Sequence, residues 1–194
     1  MSGHFVIVTG SPGAGKSTIV DSINGSEGYR VANVGTLMLE EAKKLGYTDD
    51  RDRIRYMEVG RLDEVRVNAF KELSAYDGNV VVDTHNYVEE NGRFVPGLPM
   101  KLLEGLGGIE AFIYVNAEES DIIDRRRKDT TRTRELEDTE NMKVQKTLNL
   151  SVLAYYSSLL NVPLYLINNR NGRLEESKAR FHKILNEVFE KIAP

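Results

Sequence analysis

Phe5 to Thr9 (FVIVT) is an uninterrupted apolar run, the pattern of a strand buried on both faces. It leads into Gly10-Ser-Pro-Gly-Ala-Gly15-Lys16-Ser17, which matches G-x-x-x-x-G-K-[ST], and a helical pattern over Lys16 to Ile23 follows. Few folds accommodate a buried strand, a glycine-rich turn and a helix in immediate succession. The glycines let backbone N–H groups wrap phosphate oxygens, and the helix directs its positive end at the same anion. Lys16 can then reach β- and γ-phosphates, and the Ser17 hydroxyl can ligate Mg²⁺.

Four more segments read as strands: Tyr29 to Val34, Val80 to Asp83, Ala111 to Val115 and Pro163 to Ile167. Amphipathic stretches separate them, at Leu37 to Leu45, Leu62 to Tyr76, Ser120 to Arg127, Met142 to Leu160 and Leu174 to Ile192. Strands alternating with helices predict an α/β fold, a parallel sheet with helices on both faces. At 194 residues, with 40% hydrophobic and 29% charged side chains, the chain suits a single domain with a substantial core. Two segments break the alternation. Thr48 to Tyr76 is helical but densely charged, and Lys128 to Glu140 is polar and basic; both read as excursions from the sheet.

A net charge of −4 argues against a general polyanion binder, so any basic site must be local. The absence of cysteine removes disulfides, thiolate zinc sites and cysteine nucleophiles. No apolar run approaches the ~18 residues of a membrane span. No basic region precedes the first apolar run, so no signal peptide is expected. The expected location is the cytoplasm, with no membrane partner and no nucleic acid partner.

Asp83 closes a buried run, and ligands bind beyond the carboxyl ends of parallel strands. It is expected to face the phosphate loop and hold Mg²⁺, with a strand-end turn or cap role as the plainer alternative. His85, at the same edge, has three roles open to it: contact with an acceptor phosphate, orientation of Asp83, or a structural hydrogen bond. Six of the ten residues from Arg125 to Arg134 are basic. Phosphoryl transfer needs mobile cations to neutralise the transferred group, which favours a lid over a solvated helix face. In Asp50-Arg-Asp-Arg-Ile-Arg55 the acids offset two of three arginines; Arg51 and Arg53 suit an exposed, ion-paired helix, and the alternative is that one arginine here clamps an acceptor phosphate in bidentate fashion.

These residues together resemble archaeal-type adenylate kinases, a family of P-loop nucleoside monophosphate kinases. GSPGAGKST, NVGT at Asn33 to Thr36, DRDRIR at Asp50 to Arg55, VDTH at Val82 to His85, PGLP at Pro96 to Pro99 and KDTTRTR at Lys128 to Arg134 occur in the family's order. The resemblance spans nearly the whole chain. It implies five parallel strands in one domain, a monophosphate-binding excursion over about 35–76 and a short lid over about 128–140. It implies the reaction ATP + AMP ⇌ 2 ADP with Mg²⁺ as cofactor, ATP and AMP as small-molecule partners, and a homotrimer.

By the same resemblance, Gly10, Ser11, Pro12, Gly13, Ala14, Gly15, Lys16, Ser17 and Thr18 form the ATP phosphate site. Asn168 and Asn169 lie beside the donor adenine. Thr36, Arg55, His85, Gly97 and Leu98 form the AMP site, and Ser17 and Asp83 the metal site. Lys16, Arg125, Arg132 and Arg134 are the catalytic cations. The strand end here is D-T-H and lacks the arginine of the D-G-[FY]-P-R motif, so His85 or Arg55 is expected to take over its phosphate contact. Two other functions fit the motifs: a kinase of this fold with another acceptor, and a nucleic-acid-associated P-loop ATPase.

Overall fold

The computed structural model describes residues 3–90, 93–128 and 139–191. Five strands form the main sheet: β1 (His4–Gly10), β2 (Arg30–Asn33), β3 (Asn79–Asp83), β6 (Ile109–Asn116) and β7 (Leu164–Asn168). Between β3 and β6 the chain inserts a two-stranded antiparallel hairpin, β4 (Tyr87–Glu90) with β5 (Arg93–Pro96). The main sheet runs β2-β3-β1-β6-β7, and every pairing in it is parallel. All five sequence-predicted strands are present, and none is displaced by more than a few residues.

The helices are α1 (Lys16–Val20), α2 (Val34–Lys44), α3 (Val59–Ser74), α4 (Met100–Leu106), α5 (Glu119–Lys128), α6 (Thr139–Leu160) and α7 (Leu174–Glu190). The alternation of side chains on each strand divides the core into two layers. Val6, Val8, Val81, Ala111, Ile113 and Val115 face one way and pack with Ile19 of α1, Ile122 of α5 and Phe181 and Leu185 of α7. Phe5, Ile7, Val80, Val82, Phe112 and Tyr114 face the other way, against Leu37 of α2, Phe70 and Leu73 of α3, Leu103 of α4 and Leu153 of α6. Both faces are covered, which is why these strands read as unbroken apolar runs.

The segment over about 35–76, which contains the densely charged stretch, is tied to the core at both ends. Val34 and Leu37 enter the core at its start, and Val65, Ala69, Phe70 and Leu73 at its end. From residue 43 to 64 only Ile54 is buried. Ile54 belongs to a 3₁₀ turn, Arg51–Tyr56, whose start is capped by the Asp50 carboxylate accepting from the Asp52 N–H at 2.8 Å.

Each main-sheet strand ends on a residue suited to a polar site: Asn33, Asp83, Gly10, Asn116 and Asn168. The connections leaving β1 and β3 go to opposite faces, through α1 and α4 respectively. That divergence opens a crevice at the carboxyl ends of these neighbouring strands.

Candidate active site

The loop from Ser11 to Gly15 turns the chain from β1 into α1. Gly13 and Gly15 take φ values of 89° and 86°, in the left-handed region. At Gly15 there is no room either: a Cβ would lie 2.4 Å from Asn169 Nδ2. Lys16 follows, its side chain 7% exposed, and forms an ion pair with Asp83, itself nearly buried at the end of β3. Burial first, and the Arg51 guanidinium second, lower the Lys16 pKa to about 7. The Asp83 carboxylate acts in the opposite sense, favouring the ammonium. Ser17 and Thr18 stand exposed on the first turn of α1. Deeper in the loop, Ser11 Oγ and the buried Tyr114 hydroxyl are 2.8 Å apart. Burial raises the Tyr114 pKa, so it remains a neutral phenol that also bonds Asn149 of α6.

A second arm reaches Asp83 from β2. Asn33 Nδ2 donates to Asp83 Oδ2 at 2.7 Å, while Asn33 Oδ1 accepts from Arg51 Nη2 at 2.9 Å. The same oxygen caps α2, accepting from the Thr36 N–H at 3.0 Å and from the Thr36 hydroxyl at 3.3 Å. Lys16, Asp83, Asn33, Arg51 and Thr36 therefore form one continuous polar chain across the crevice. It contains the sequence-predicted Lys16, Asp83 and Thr36. Arg55 is not in it: its guanidinium pairs with Asp52 at 2.9 Å on the open side of the 3₁₀ turn, with about half of the side chain in solvent. Arg51 is the arginine of that turn that reaches the strand ends.

On the other side of the phosphate loop, Arg125 of α5 makes three hydrogen bonds. Nη1 donates to the Ala14 carbonyl at 3.0 Å, Nη2 to the Asn169 carbonyl at 2.7 Å and Nε to Asn171 Oδ1 at 2.9 Å. Asn169 Nδ2 donates to the same Ala14 carbonyl at 2.8 Å, and the Asn169 N–H to the Asn116 carbonyl at 2.7 Å. Asn168 Oδ1 accepts from Asn116 Nδ2 at 2.9 Å. Arg125, expected among the lid cations, thus fastens the loop after β7 to the phosphate loop. Arg132 and Arg134 lie outside the described residues.

His85 is exposed, and its carbonyl abuts Gly97, where a Cβ would lie 2.4 Å away. The Gly97 and Leu98 N–H groups both donate to the Asn86 carbonyl, at 2.8 and 3.4 Å, and the Tyr156 hydroxyl donates to the Leu98 carbonyl at 2.9 Å. The Leu98 side chain is fully buried in the core. This turn therefore packs through its backbone against the segment that follows β3.

The donor set fits a hard divalent cation that arrives with a nucleotide. Mg²⁺ prefers oxygen ligands and keeps waters and phosphate oxygens beside one or two protein ligands. Ser17 Oγ and the Asp83 carboxylate are oxygens of that kind beside the phosphate loop, and could serve as those ligands. Among the described residues no cluster of three acidic, histidine or cysteine side chains stands ready to hold a metal by itself.

Sequence reasoning passed over Asn33 and Arg51 as site residues. A signal for the first was present, since Asn33 ends a strand immediately before a helical pattern and asparagine is a favoured N-cap. Nothing in the spacing distinguishes Arg51 from Arg53 or Arg55; the pitch of the 3₁₀ turn decides which one faces inward.

Residues 9–143 match a family described as an AAA domain. The adenylate kinase of Thermoplasma acidophilum is 30% identical over 92% of this chain and 97% of its own length. That of Methanothermobacter thermautotrophicus is 29% identical over 93% and 98%, and that of Methanocaldococcus jannaschii 31% identical over 95% and 100%. Among solved structures, a shikimate kinase from Bacteroides thetaiotaomicron has the same fold, with a TM-score of 0.56 at 14% identity over 94% of this chain and 98% of that one.

Proposed function

The chain belongs to the adenylate kinase family, and from that premise we propose that it catalyses the reversible transfer ATP + AMP ⇌ 2 ADP. The observation that carries the proposal is the polar chain across the crevice. It sets a phosphate-loop lysine on one side of Asp83 and an arginine from a different element on the other, as a reaction between two phosphates requires.

In this reading the donor triphosphate lies in the loop from Gly10 to Thr18, with Lys16 leaving Asp83 to meet the β- and γ-phosphates. Ser17 and Asp83 would hold Mg²⁺, which when bound would screen charge on the phosphates and help align them. The acceptor phosphate lies against Arg51 and the start of α2. An acceptor oxygen attacks the γ-phosphorus in line as the bond to the ADP leaving group breaks, with no covalent intermediate on the protein. The protein contributes placement, charge neutralisation and exclusion of water. Arg132 and Arg134 would bring further cations from a lid over about 128–140, closing on an acceptor excursion over about 35–76.

The adenine of AMP would be read by the Thr36 hydroxyl and the backbone turn at Gly97 and Leu98. The donor adenine would lie beside Asn168 and Asn169. A cytoplasmic location suits these substrates. A homotrimer is part of the same reading, supported by Tyr155 and Leu159 of α6 and Leu166 of the edge strand β7, all about half exposed.

A coupled assay of ADP formation with AMP, CMP, UMP and RNA as alternative second substrates tests the proposal. AMP-dependent ADP production is the expected result. Preference for another monophosphate would reassign the acceptor, and hydrolysis stimulated by RNA would replace the kinase reading altogether.

A further inference from the structure

The Asn33 amide is used at both ends, and its orientation admits no alternative. The nitrogen end faces the Asp83 carboxylate, which can only accept; the oxygen end faces the Arg51 guanidinium and the Thr36 N–H, which can only donate. Capping α2 does not demand an amide. Serine, threonine or aspartate would serve the Thr36 N–H as well. Joining a carboxylate to a guanidinium through one short side chain does demand it, because a donor and an acceptor must sit back to back.

The neighbouring sequence keeps this junction open. Gly35 lies beneath the Arg51 guanidinium, and a Cβ there would stand 2.5 Å from Arg51 Nη2. Gly35 has no positive φ, so its backbone does not require glycine. What requires glycine is the path of Arg51 to Asn33.

We propose that Asn33 is a positioning residue that holds the metal-side carboxylate Asp83 and the acceptor-side cation Arg51 in one register, linking the two halves of the site through a single amide. The inference rests on the kinase reading and extends it. It predicts that losing the amide disturbs both halves, whereas removing only the Arg51 arm disturbs one.

Two variants separate these effects. Asn33→Ser keeps a competent cap and removes both long arms. Gly35→Ala sits in a helix, where alanine is favoured; its Cβ would displace chiefly the flexible end of Arg51, 2.5 Å from Nη2, and would touch the Asn33 oxygen more lightly, at 3.3 Å, on the side away from Asp83. Calorimetry gives the affinity for ADP with Mg²⁺ and with chelator, and the ratio of the two is the Mg²⁺ gain. Steady-state kinetics give KM for AMP and ATP separately.

Asn33→Ser should shrink the Mg²⁺ gain by about tenfold, as loss of a group that orients a metal ligand does. It should also raise KM for AMP, while thermal unfolding stays close to wild type. Gly35→Ala should raise KM for AMP by about tenfold, the loss of one charge-assisted hydrogen bond, with the Mg²⁺ gain and KM for ATP unchanged. If Asn33→Ser matches wild type in Mg²⁺ gain and KM for AMP, Asn33 is only a cap and the proposal is overturned. It is equally overturned if Gly35→Ala alters the Mg²⁺ gain as much as Asn33→Ser does. Should the wild type make no ADP from ATP and AMP, the kinase reading falls, and the calorimetric comparison still decides whether Asn33 orients Asp83.

Discussion

Arg125→Lys separates two roles for one guanidinium. As a lid cation Arg125 would act by charge, which lysine retains. In the structure it acts by geometry, spanning Ala14, Asn169 and Asn171 with three donors. A lysine ammonium can serve one of these acceptors, so two hydrogen bonds are lost. Each bond from a charged donor contributes about 1.5–3 kcal/mol. The Ala14 carbonyl keeps its bond from Asn169, and the site is partly open to solvent, so the net loss should be smaller, about 2 kcal/mol. For a chain of this size each kcal/mol moves the midpoint by about 2–4 °C, giving a fall of about 4–8 °C. Scanning calorimetry on the free protein measures it. ATP affinity should fall in parallel, since the phosphate loop and the loop after β7 are no longer fastened together. An unchanged midpoint with turnover and ATP affinity near wild type would refute this reasoning and return Arg125 to the role of a charge on the transferred group.

Lys16→Met should abolish transfer with the fold intact, at a cost of about 2.7–4 kcal/mol or more in the barrier; near-normal turnover would remove the loop from the mechanism. The lowered Lys16 pKa gives a second test. Burial lowers the Lys16 pKa and a bound polyphosphate favours its ammonium, so ADP binding at pH 8.5 should take up a proton. Calorimetry in buffers of different ionisation enthalpy would detect it, and the uptake should vanish near pH 6; buffer-independent heats at pH 8.5 would contradict the assignment. Asp83→Asn should weaken the Mg²⁺ dependence of activity more than nucleotide binding, and a magnesium titration superimposable on wild type would show that Asp83 is only structural. Light scattering should give about three times the chain mass at micromolar concentration if Tyr155, Leu159 and Leu166 meet other copies, and a monomer mass would reject that arrangement.

The fold was legible where burial was two-sided. The central runs of β1, β3 and β6 are apolar because both faces are covered, and such runs stand out from the surrounding sequence. The hairpin β4–β5 went unread because Glu89, Arg93 and Pro96 interrupt any alternation. It is held by a different device: Asn149 of α6 accepts the Tyr87 N–H through its side chain, and its backbone carbonyl accepts from Asn86. α4 went unread because seven residues flanked by proline and glycine are too few for a helical period to declare itself. The phosphate loop is local in sequence and could be recognised whole. The proposed acceptor side is assembled from the end of β2, the cap of α2 and a turn near residue 51, and only the folded chain shows which arginine approaches those strand ends. Arg125 illustrates the same limit, since a basic run indicates charge and not which member of the run is spent on fastening a loop.

The sheet order has a consequence for how the chain is made. β1, which precedes the other four strands of the sheet in the chain, lies in its middle, between β3 and β6. Its partners run from Asn79 to Asp83 and from Ile109 to Val115. At about 5–20 residues per second, the most apolar segment of the chain waits roughly 5–20 s before both of its edges can be paired. For that interval it is an unpaired strand with hydrophobic faces, the kind of segment that associates with other nascent chains. The glycine-rich turn that follows is thus preceded by the segment most dependent on distant sequence. A slow stretch of translation before Ile109 would lengthen the exposure.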